Sequence, residues 1–247
     1  MDKIRTVILL ALTATAIISS VVAMLVGNQG GDSLLLNLGT ELAGAVLTYG
    51  LFELFIGRRE REAEKKTELI TRMGSDEREV AVPAAAELAR RDWLYDGSLY
   101  GANLSRADLS RTNLGWADLR EACLGWANLG GTDLVWATMR GALLSMADLR
   151  EANLGGADLR KAVMRATNLC GAELYETDLR EAELKWIELR GAKLKRADLR
   201  GADLSGADLE WADLSEANLE GAEVTEEQLA QAKSLKGAIM PDGTKHD

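Results

Sequence analysis

The chain of 247 residues carries 29 Lys and Arg against 39 Asp and Glu, a formal net charge of −10. This balance argues against a general nucleic-acid-binding role, because clustered Lys and Arg side chains hold a phosphate backbone. Two cysteines, Cys123 and Cys170, and one histidine, His246, are too few for a zinc cluster or a disulfide framework and leave no common general base. We therefore expect no metal, no cofactor and no enzymatic activity.

The chain begins with two apolar runs separated by a short glycine-containing break. Residues 7–26 contain no charged side chain, and residues 34–57 form the second run. Each has about the length that a helix needs to cross a ~30 Å bilayer core, so the sequence predicts a two-helix transmembrane hairpin over 1–57. A cleaved secretory signal and a buried hairpin of a soluble domain are the alternatives. A signal normally has a shorter apolar core, and nothing else in the chain would cover a buried hairpin.

Positive charges flank this predicted hairpin on one side only. Lys3 and Arg5 precede the first run, Arg58 and Arg59 follow the second, and the break carries no Lys or Arg. Such flanks stay in the cytoplasm. We therefore expect a two-pass protein in contact with the lipid bilayer, with both termini on the cytoplasmic side.

The second run contains two carboxylates, Glu41 and Glu53. A carboxylate within a membrane is costly, so each is a candidate functional residue, and we consider a structural or oligomer contact, an interfacial position and ion or proton handling. Gly39, Ala43 and Gly44 would let helices approach closely. The hairpin is therefore also a candidate for homo-oligomer formation.

Residues 58–96 are predicted to form a helical connector and N-terminal cap. Good helix formers run to Gly74, and a second, Ala-rich helix contains Pro83, which suits a first helical turn. Its small apolar face is expected to pack on the segment that follows. We assign to that face Val82, Ala86, Leu88 and Ala89.

A large apolar residue then returns at every fifth position from Leu99 to Val224, which is 26 positions, 23 of them Leu. Ala stands two residues earlier in 20 of the 26 repeats. A period of five suits neither an α-helix nor a strand, because the leucines would scatter around the first and alternate between faces of the second. The chain must bend once per repeat. Four such sides would make a coil of about twenty residues with Leu and Ala inside, and coils would stack at ~4.8 Å.

The motif A(D/N)Lxx, as in residues 201–222, resembles the pentapeptide-repeat family. The resemblance implies an all-β solenoid, a right-handed quadrilateral β-helix over 97–224, in a bacterial protein whose membrane would be the inner membrane. Residues 225–247 resemble the C-terminal cap of such proteins. Thr225 is the predicted N-cap of a short helix that would cover the last open coil.

Reading the outward residues at a spacing of twenty gives one column of arginines. Aspartates stand two residues before most of them, so the column is either a solvated ion-pair ladder or a binding face. The column comprises Arg120, Arg140, Arg160, Arg180 and Arg200.

Trp116 and Trp136 are twenty residues apart and are predicted to stack, with Trp126 and Met146 forming a second outward column. Exposed tryptophans in a row are unusual. They are expected to form a partner site or a membrane-interface contact, unless the connector helices or the cap cover them.

The end of the solenoid is acidic, with nine Asp and Glu and no Lys or Arg over 201–232, among them Asp203, Asp208 and Asp213. Family members that confer quinolone resistance imitate DNA and engage DNA gyrase, so the resemblance offers a DNA-mimic reading of this end. The leading prediction is a non-enzymatic, membrane-tethered scaffold that binds an unidentified protein partner. A topoisomerase-directed DNA mimic is the alternative, and an ion or signalling element using Glu41 is the third.

Overall fold

The computed structural model describes residues 32–247, without the side chains of 32–43 and 47. The chain divides into two compact units, residues 1–64 and 65–247. The first predicted membrane crossing, 7–26, lies outside the described residues.

Helix α1 spans Asp32–Met73 and runs without a break through the predicted boundary at Gly57. In the first unit, the Tyr49 hydroxyl donates a hydrogen bond of 3.0 Å to Glu53 Oε1 one turn away. No helix in the described part of the chain is long and apolar enough to cross a membrane, so the predicted crossing at 34–57 is not supported. Asn37, Glu41 and Glu53 interrupt its apolar run.

In the second unit, residues 103–223 form the predicted four-sided solenoid. Parallel bridges join residues twenty apart on each side of a coil, beginning with Asn103 to Cys123 and Asp108 to Asn128. Each strand pairs with both neighbouring coils: Cys123 N–H donates to Ala102 O of the preceding coil at 2.9 Å, and Leu124 N–H donates to Leu143 O of the following coil at 2.7 Å. The repeat therefore produces four narrow parallel sheets, and the period of twenty is confirmed.

The interior consists almost entirely of the repeated Leu and Ala side chains, which are buried along the whole solenoid. Four of the Ala positions carry a buried Thr instead. Thr132, Thr167 and Thr177 each donate a hydrogen bond of 2.8 to 2.9 Å to a leucine carbonyl of the preceding coil. A buried hydroxyl is tolerated because it has a partner.

Every corner of the solenoid is a tight turn with one left-handed residue. At the corner after Leu104, for example, Ala107 N–H donates to Leu104 O at 3.1 Å, and Arg106 between them has φ of 64°. This is a type II turn, which needs a positive φ at its third residue. All 25 corners from Gly101 to Gly221 have it, and 16 of those residues are not Gly. A Cβ in this conformation costs about 1–2 kcal/mol, so the corners store strain.

The N-terminal end of the solenoid is covered by helix α2, Arg78–Arg90, together with the end of α1. The predicted apolar face was right for Leu88 and in part for Ala89, which is half-buried and packs against the core, and it was wrong for Val82 and Ala86. The side chains at i, i+3, i+4 and i+7 from position 81 face the core, whereas Ala86 is exposed and Val82 and Ala89 are half-buried. The buried set is Ala81, Ala84, Ala85 and Leu88.

The first coil also finds backbone partners in the connector. Asp108 N–H donates to Ser75 O at 3.0 Å, and Asp118 N–H donates to Leu94 O at 2.9 Å. Gly74 is required at this junction, because a Cβ there would lie 2.8 Å from Asn103 O. The open edge of the solenoid is therefore paired at this end.

The C-terminal cap begins with helix α3, Glu226–Leu229, and Thr225 is its N-cap, as predicted. Thr225 and Gln228 exchange hydrogen bonds in a capping box. The Gln228 amide also donates to the carbonyls of Leu204 and Ala207, both at 2.9 Å. Beyond α3, Ile239 pairs with Asn218 of the last coil in a parallel bridge and with Lys245 in an antiparallel bridge, so the last edge of the solenoid is covered.

Candidate interaction surfaces

The arginine column is an ion-pair ladder over most of its length. Arg120 donates two hydrogen bonds to Asp118, at 2.7 and 2.6 Å, and these bonds hold the pKa of the Asp118 carboxyl below its usual value. Arg160, Arg180 and Arg200 bind the aspartate two residues earlier in the same way. Contacts of 3.5 Å from Arg160 to Asp178 and from Arg180 to Asp198 then join successive coils. Most of the column is therefore neutralised by its own chain.

Arg140 departs from this pattern. Thr138 occupies the position where the other arginines of the column have Asp. Arg140 is exposed and makes no ion pair within 4 Å among the described residues. Its guanidinium therefore remains available for an external carboxylate or phosphate group.

The corner that precedes this face carries the two stacked tryptophans. The ring centroids of Trp116 and Trp136 lie 5.8 Å apart with an interplanar angle of 24°, as their spacing predicted. The Trp136 ring lies over Gly156, where a Cβ would come within 2.6 Å of it. The two tryptophans are 66% and 49% exposed, so the described connector helices do not cover them.

Five of the six tryptophans stand at left-handed corner positions, with φ between 55° and 63°. A bulky residue in this conformation is uncommon, and such strain tends to collect at functional sites. All five are exposed, and the guanidinium of Arg106 lies 5.9 Å from the centre of the Trp126 ring. Sequence reasoning missed this strain because it did not recognise the corner position. The five are Trp116, Trp126, Trp136, Trp186 and Trp211.

The acidic end is less negative than the local sequence suggested. Lys185 binds Asp203 at 2.9 Å, and Arg190 contacts Asp208 at 3.5 Å. Asp213 instead accepts a hydrogen bond of 2.6 Å from the Ser215 hydroxyl. The cations come from the preceding coil, because the neighbours of a residue in this fold lie about twenty positions away. The carboxylates of this end that make no ion pair within the described residues are Asp213, Glu220, Glu223, Glu226 and Glu227.

A shallow polar groove of about 490 Å³ lies beside α2 and was not predicted. Arg78 and Arg111 line it, together with Arg150, which binds Asp148 through two short hydrogen bonds. Arg78 donates to the Ser110 hydroxyl at 3.2 Å. Within the described residues, no group of three or more His, Cys, Asp or Glu could hold a metal ion.

This geometry defines a four-sided, right-handed β-helix with capped ends. A family model described as pentapeptide repeats (8 copies) matches three segments of the chain, residues 98–134, 147–185 and 182–221. HetL, a pentapeptide repeat protein involved in heterocyst differentiation regulation in the cyanobacterium Nostoc sp. strain PCC 7120, is 35% identical over 60% of this chain and 86% of its own, with a TM-score of 0.35. The chain belongs to the pentapeptide-repeat family.

Other solved structures are similar to this chain at lower identity. Trypsin-treated QnrB1, a plasmid-mediated fluoroquinolone resistance protein, is 22% identical over 58% of this chain and 79% of its own, with a TM-score of 0.42. Rfr23 from the cyanobacterium Cyanothece 51142 is 27% identical over 56% and 96%, with a TM-score of 0.27. No match was found among curated proteins.

Proposed function

We propose that this protein is a non-enzymatic interaction module whose solenoid binds a protein partner at Trp116, Trp136 and Arg140. The observation that carries the proposal is the exposed, stacked tryptophan pair held on strained backbone. Tryptophan and arginine are enriched among the residues that dominate binding energy at protein interfaces. A residue such as Gly would occupy these corners with less strain, so stability does not account for Trp there.

The composition of the site defines the chemistry of the partner. The two indole rings offer a flat apolar surface, and Arg140, on the face that follows this corner, offers a guanidinium without an ion-pair partner among the described residues. A segment with an apolar or aromatic side chain next to a carboxylate would satisfy both groups. Direct binding of nucleic acid is not expected from a chain with a net charge of −10.

The two other functions have less support. A DNA mimic needs an extended run of uncompensated negative charge, whereas Asp203 and Asp208 are paired with cations of the preceding coil. An ion-handling role would rest on Glu41, and of this residue only the helical backbone is described. The interaction module is therefore the function that the described surfaces favour.

Attachment to the cytoplasmic face of a bacterial inner membrane is a further part of the proposal. Its support is the uncharged run 7–26 and the preceding Lys3 and Arg5. The full chain is expected to fractionate with membranes and to resist carbonate extraction, and a reporter fused after Asp247 is expected to be active only in the cytoplasm. Recovery of the chain in the carbonate-soluble fraction would contradict this attachment.

The partner site is tested by photo-crosslinking in cells that express the full chain with a photoreactive phenylalanine at position 116 or 136. Trp211 is the matched control, because it occupies another left-handed corner and is 64% exposed, against 66% for Trp116. We expect a discrete protein adduct at 116 and 136, no such adduct at 211, and loss of the adduct when Arg140→Ala is added. The same products at all three positions, or adducts with lipid alone, would refute the partner site.

A further inference from the structure

The residue before each inward apolar residue faces outward, and it is polar at nearly every repeat. Across the 26 repeats this position carries Asp, Asn, Glu, Ser, Thr or Lys, with three exceptions. The exceptions are Cys123, Leu143 and Val163, and their spacing is twenty residues. The interruption of the polar pattern is therefore confined to one side of three consecutive coils.

These three residues are direct neighbours in the sheet. Parallel bridges join Cys123 to Leu143 and Leu143 to Val163. Leu143 is 45% exposed, although at this position the repeat normally places a polar side chain. The following corner adds exposed apolar side chains in the same three coils, so that a continuous patch forms. We call this patch the apolar face, and it consists of Cys123, Leu143, Val163, Trp126, Met146 and Ala166.

Charged and aromatic residues surround the apolar face. At the corner before it, Glu121 and Lys161 lie two coils apart on either side of Gly141, and both are exposed. Along the other corner, Arg106 and Trp186 lie beyond the two ends of the patch. An apolar centre inside such a rim is the composition of a protein interface.

We propose that the apolar face binds a second copy of this chain, with the two solenoids antiparallel about a two-fold axis at Leu143. Contacts across a two-fold axis are reciprocal: where one residue of the first copy meets another residue of the second copy, the same two residues meet with the copies exchanged. An axis along the strand direction at Leu143 reverses the order of the coils. The coil of Cys123 then faces the coil of Val163 in the second copy, and the coil of Asn103 faces that of Glu183.

This arrangement is complementary in charge and in size. Glu121 meets Lys161 of the second copy, and the guanidinium of Arg106 meets the Trp186 ring, an attraction of cation–π type. The large Trp126 meets the small Ala166. Further pairs complete the contact without opposing like charges: Cys123 with Val163, Glu183 with Asn103, Arg165 with Gly125, and Leu143 and Met146 each with its own copy.

A parallel arrangement lacks this complementarity. An axis along the solenoid would place each coil opposite the same coil of the second copy, so Glu121 would face Trp126 and Lys161 would face Ala166. Lys161 would keep its ion pair of 3.3 Å with Glu181 of its own chain, but Glu121, which makes no ion pair among the described residues, would be desolvated without a cation, which is unfavourable. The charges of the rim therefore select the antiparallel dimer.

The contact is small. Five coils at ~4.8 Å spacing span roughly 20 Å of the solenoid, below the extent of a standard interface of about 800 Å² per partner. We therefore expect a weak dimer in dilute solution. Trp116 and Trp136 lie at the corner diagonally opposite that of Trp126 and Met146, so this dimer leaves the stacked tryptophan pair open and does not depend on it.

Site-directed disulfides in the purified full chain test the dimer. With Cys123→Ser and Cys170→Ser as background, Leu143→Cys is expected to oxidise to a covalent dimer, since the two copies of position 143 meet at the axis. The matched control is Asn153→Cys, which has the same position in its repeat on the opposite side of the coil. We expect at least about tenfold more covalent dimer at position 143 than at 153.

A second pair of cysteines distinguishes the antiparallel from the parallel arrangement. Val163→Cys, with native Cys123 kept and Cys170→Ser, is expected to form an intermolecular disulfide. Within one chain these cysteines lie two coils or about 9.6 Å apart, too far for a bond. Adding Leu143→Asp restores the usual residue type of the repeat, so folding is preserved, and it is expected to reduce this dimer by at least about tenfold.

Three outcomes would overturn the proposal. Equal crosslinking at positions 143 and 153 would indicate random collision or association through another segment. Absence of the disulfide between positions 123 and 163 would exclude the antiparallel arrangement. Protection of the Leu143→Cys thiol from maleimide without any covalent dimer would indicate that the face is covered by another part of the same chain or by detergent.

Discussion

The coils up to about residue 166 and the coils after it share one interior but differ on the outside. The earlier coils present Trp116, Trp136, Leu143 and Met146 to solvent. In the later coils, outward cations bind carboxylates of the next coil, as Lys185 does with Asp203 and Arg196 with Glu216 at 2.7 Å. The same five-residue rule therefore supports a surface with exposed aromatic and apolar patches in the earlier coils and a neutralised ionic surface in the later ones.

This difference indicates where the functional information of the chain lies. The inward Leu and Ala positions satisfy packing in the same way throughout the solenoid, so they do not distinguish one coil from another. The outward positions are free of that constraint, and each combines with residues twenty positions away. Exposed Trp186 and Trp211 in the later coils are isolated, whereas Trp116 and Trp136 stack. An aromatic surface thus depends on neighbouring coils carrying matched residues.

The largest expected effect on the free energy of unfolding comes from substitutions in the interior. Such substitutions test whether the interior contributes equally to stability in the two regions. Leu149 and Leu199 are both buried, in the earlier and the later coils. Replacing either by Ala removes buried methyl groups and leaves a cavity, and should lower the free energy of unfolding by about 2–5 kcal/mol. Denaturant unfolding measures this change in the free energy of unfolding, and hydrogen exchange measures it separately in each region. Effects on the two regions that differ by more than about 2 kcal/mol would show that the interiors are not equivalent.

An effect of intermediate size concerns the left-handed corners, which both regions share. Ala166 has φ of 52°, and Gly141 has φ of 68° with room for a Cβ. Ala166→Gly is therefore expected to stabilise the chain and Gly141→Ala to destabilise it, each by about 1 kcal/mol.

Thermal or denaturant unfolding measures these two changes. Gly130→Ala is the control, because Gly130 is not left-handed and its Cβ would make only ordinary contacts. If Ala166→Gly destabilised the chain, backbone strain at the corners would not determine the stability change on substitution.

The sequence predicted the parts of the structure that follow from a single repeated rule. The coil of twenty residues, the inward leucines and the stacking of Trp116 on Trp136 follow from a spacing of five, and the Thr225 cap follows from the chemistry of an N-cap residue. The left-handed corners were not predicted, because residues as different as Trp, Glu, Lys and Gly occupy them. Their conformation is imposed by closure of the coil and not by local preference.

The misassigned features share another cause. The charge of the acidic end was predicted from the consecutive residues 201–232, whereas the cations that neutralise part of it come from the preceding coil. In α2, alanines on every side offered no contrast from which to choose the buried face, and contact with the first coil decides it. The apolar face was readable in principle, because Cys123, Leu143 and Val163 stand twenty residues apart. Surface features of such a sequence are therefore predicted best by comparing outward residues that stand twenty positions apart.

The smallest expected effect concerns the pH dependence of stability, which should differ between the ionic surface of the later coils and the aromatic surface of the earlier ones. Burial acts to raise the pKa of Asp198, but hydrogen bonds from Arg200 outweigh it and the pKa is lowered. A carboxylate with a lowered pKa in the folded state contributes stability above its unfolded value of about 3.9, and this contribution is lost as pH falls through the lower folded value. Asp198→Asn is therefore expected to reduce the loss of stability between pH 6 and pH 3.

Asn at position 198 would keep the hydrogen bond that the Asp198 side chain accepts from Arg200 N–H at 3.2 Å, and Asn218 already occupies the same column. The variant thus removes charge with little change in turn geometry. Asp133→Asn is the matched control in the earlier coils, since Asp133 has no ion pair among the described residues. Unfolding midpoints at the two pH values measure both variants. An equal response of the two would mean that the ion pairs of the later coils add no stability beyond the charge itself, and the contrast between the regions would then concern recognition alone.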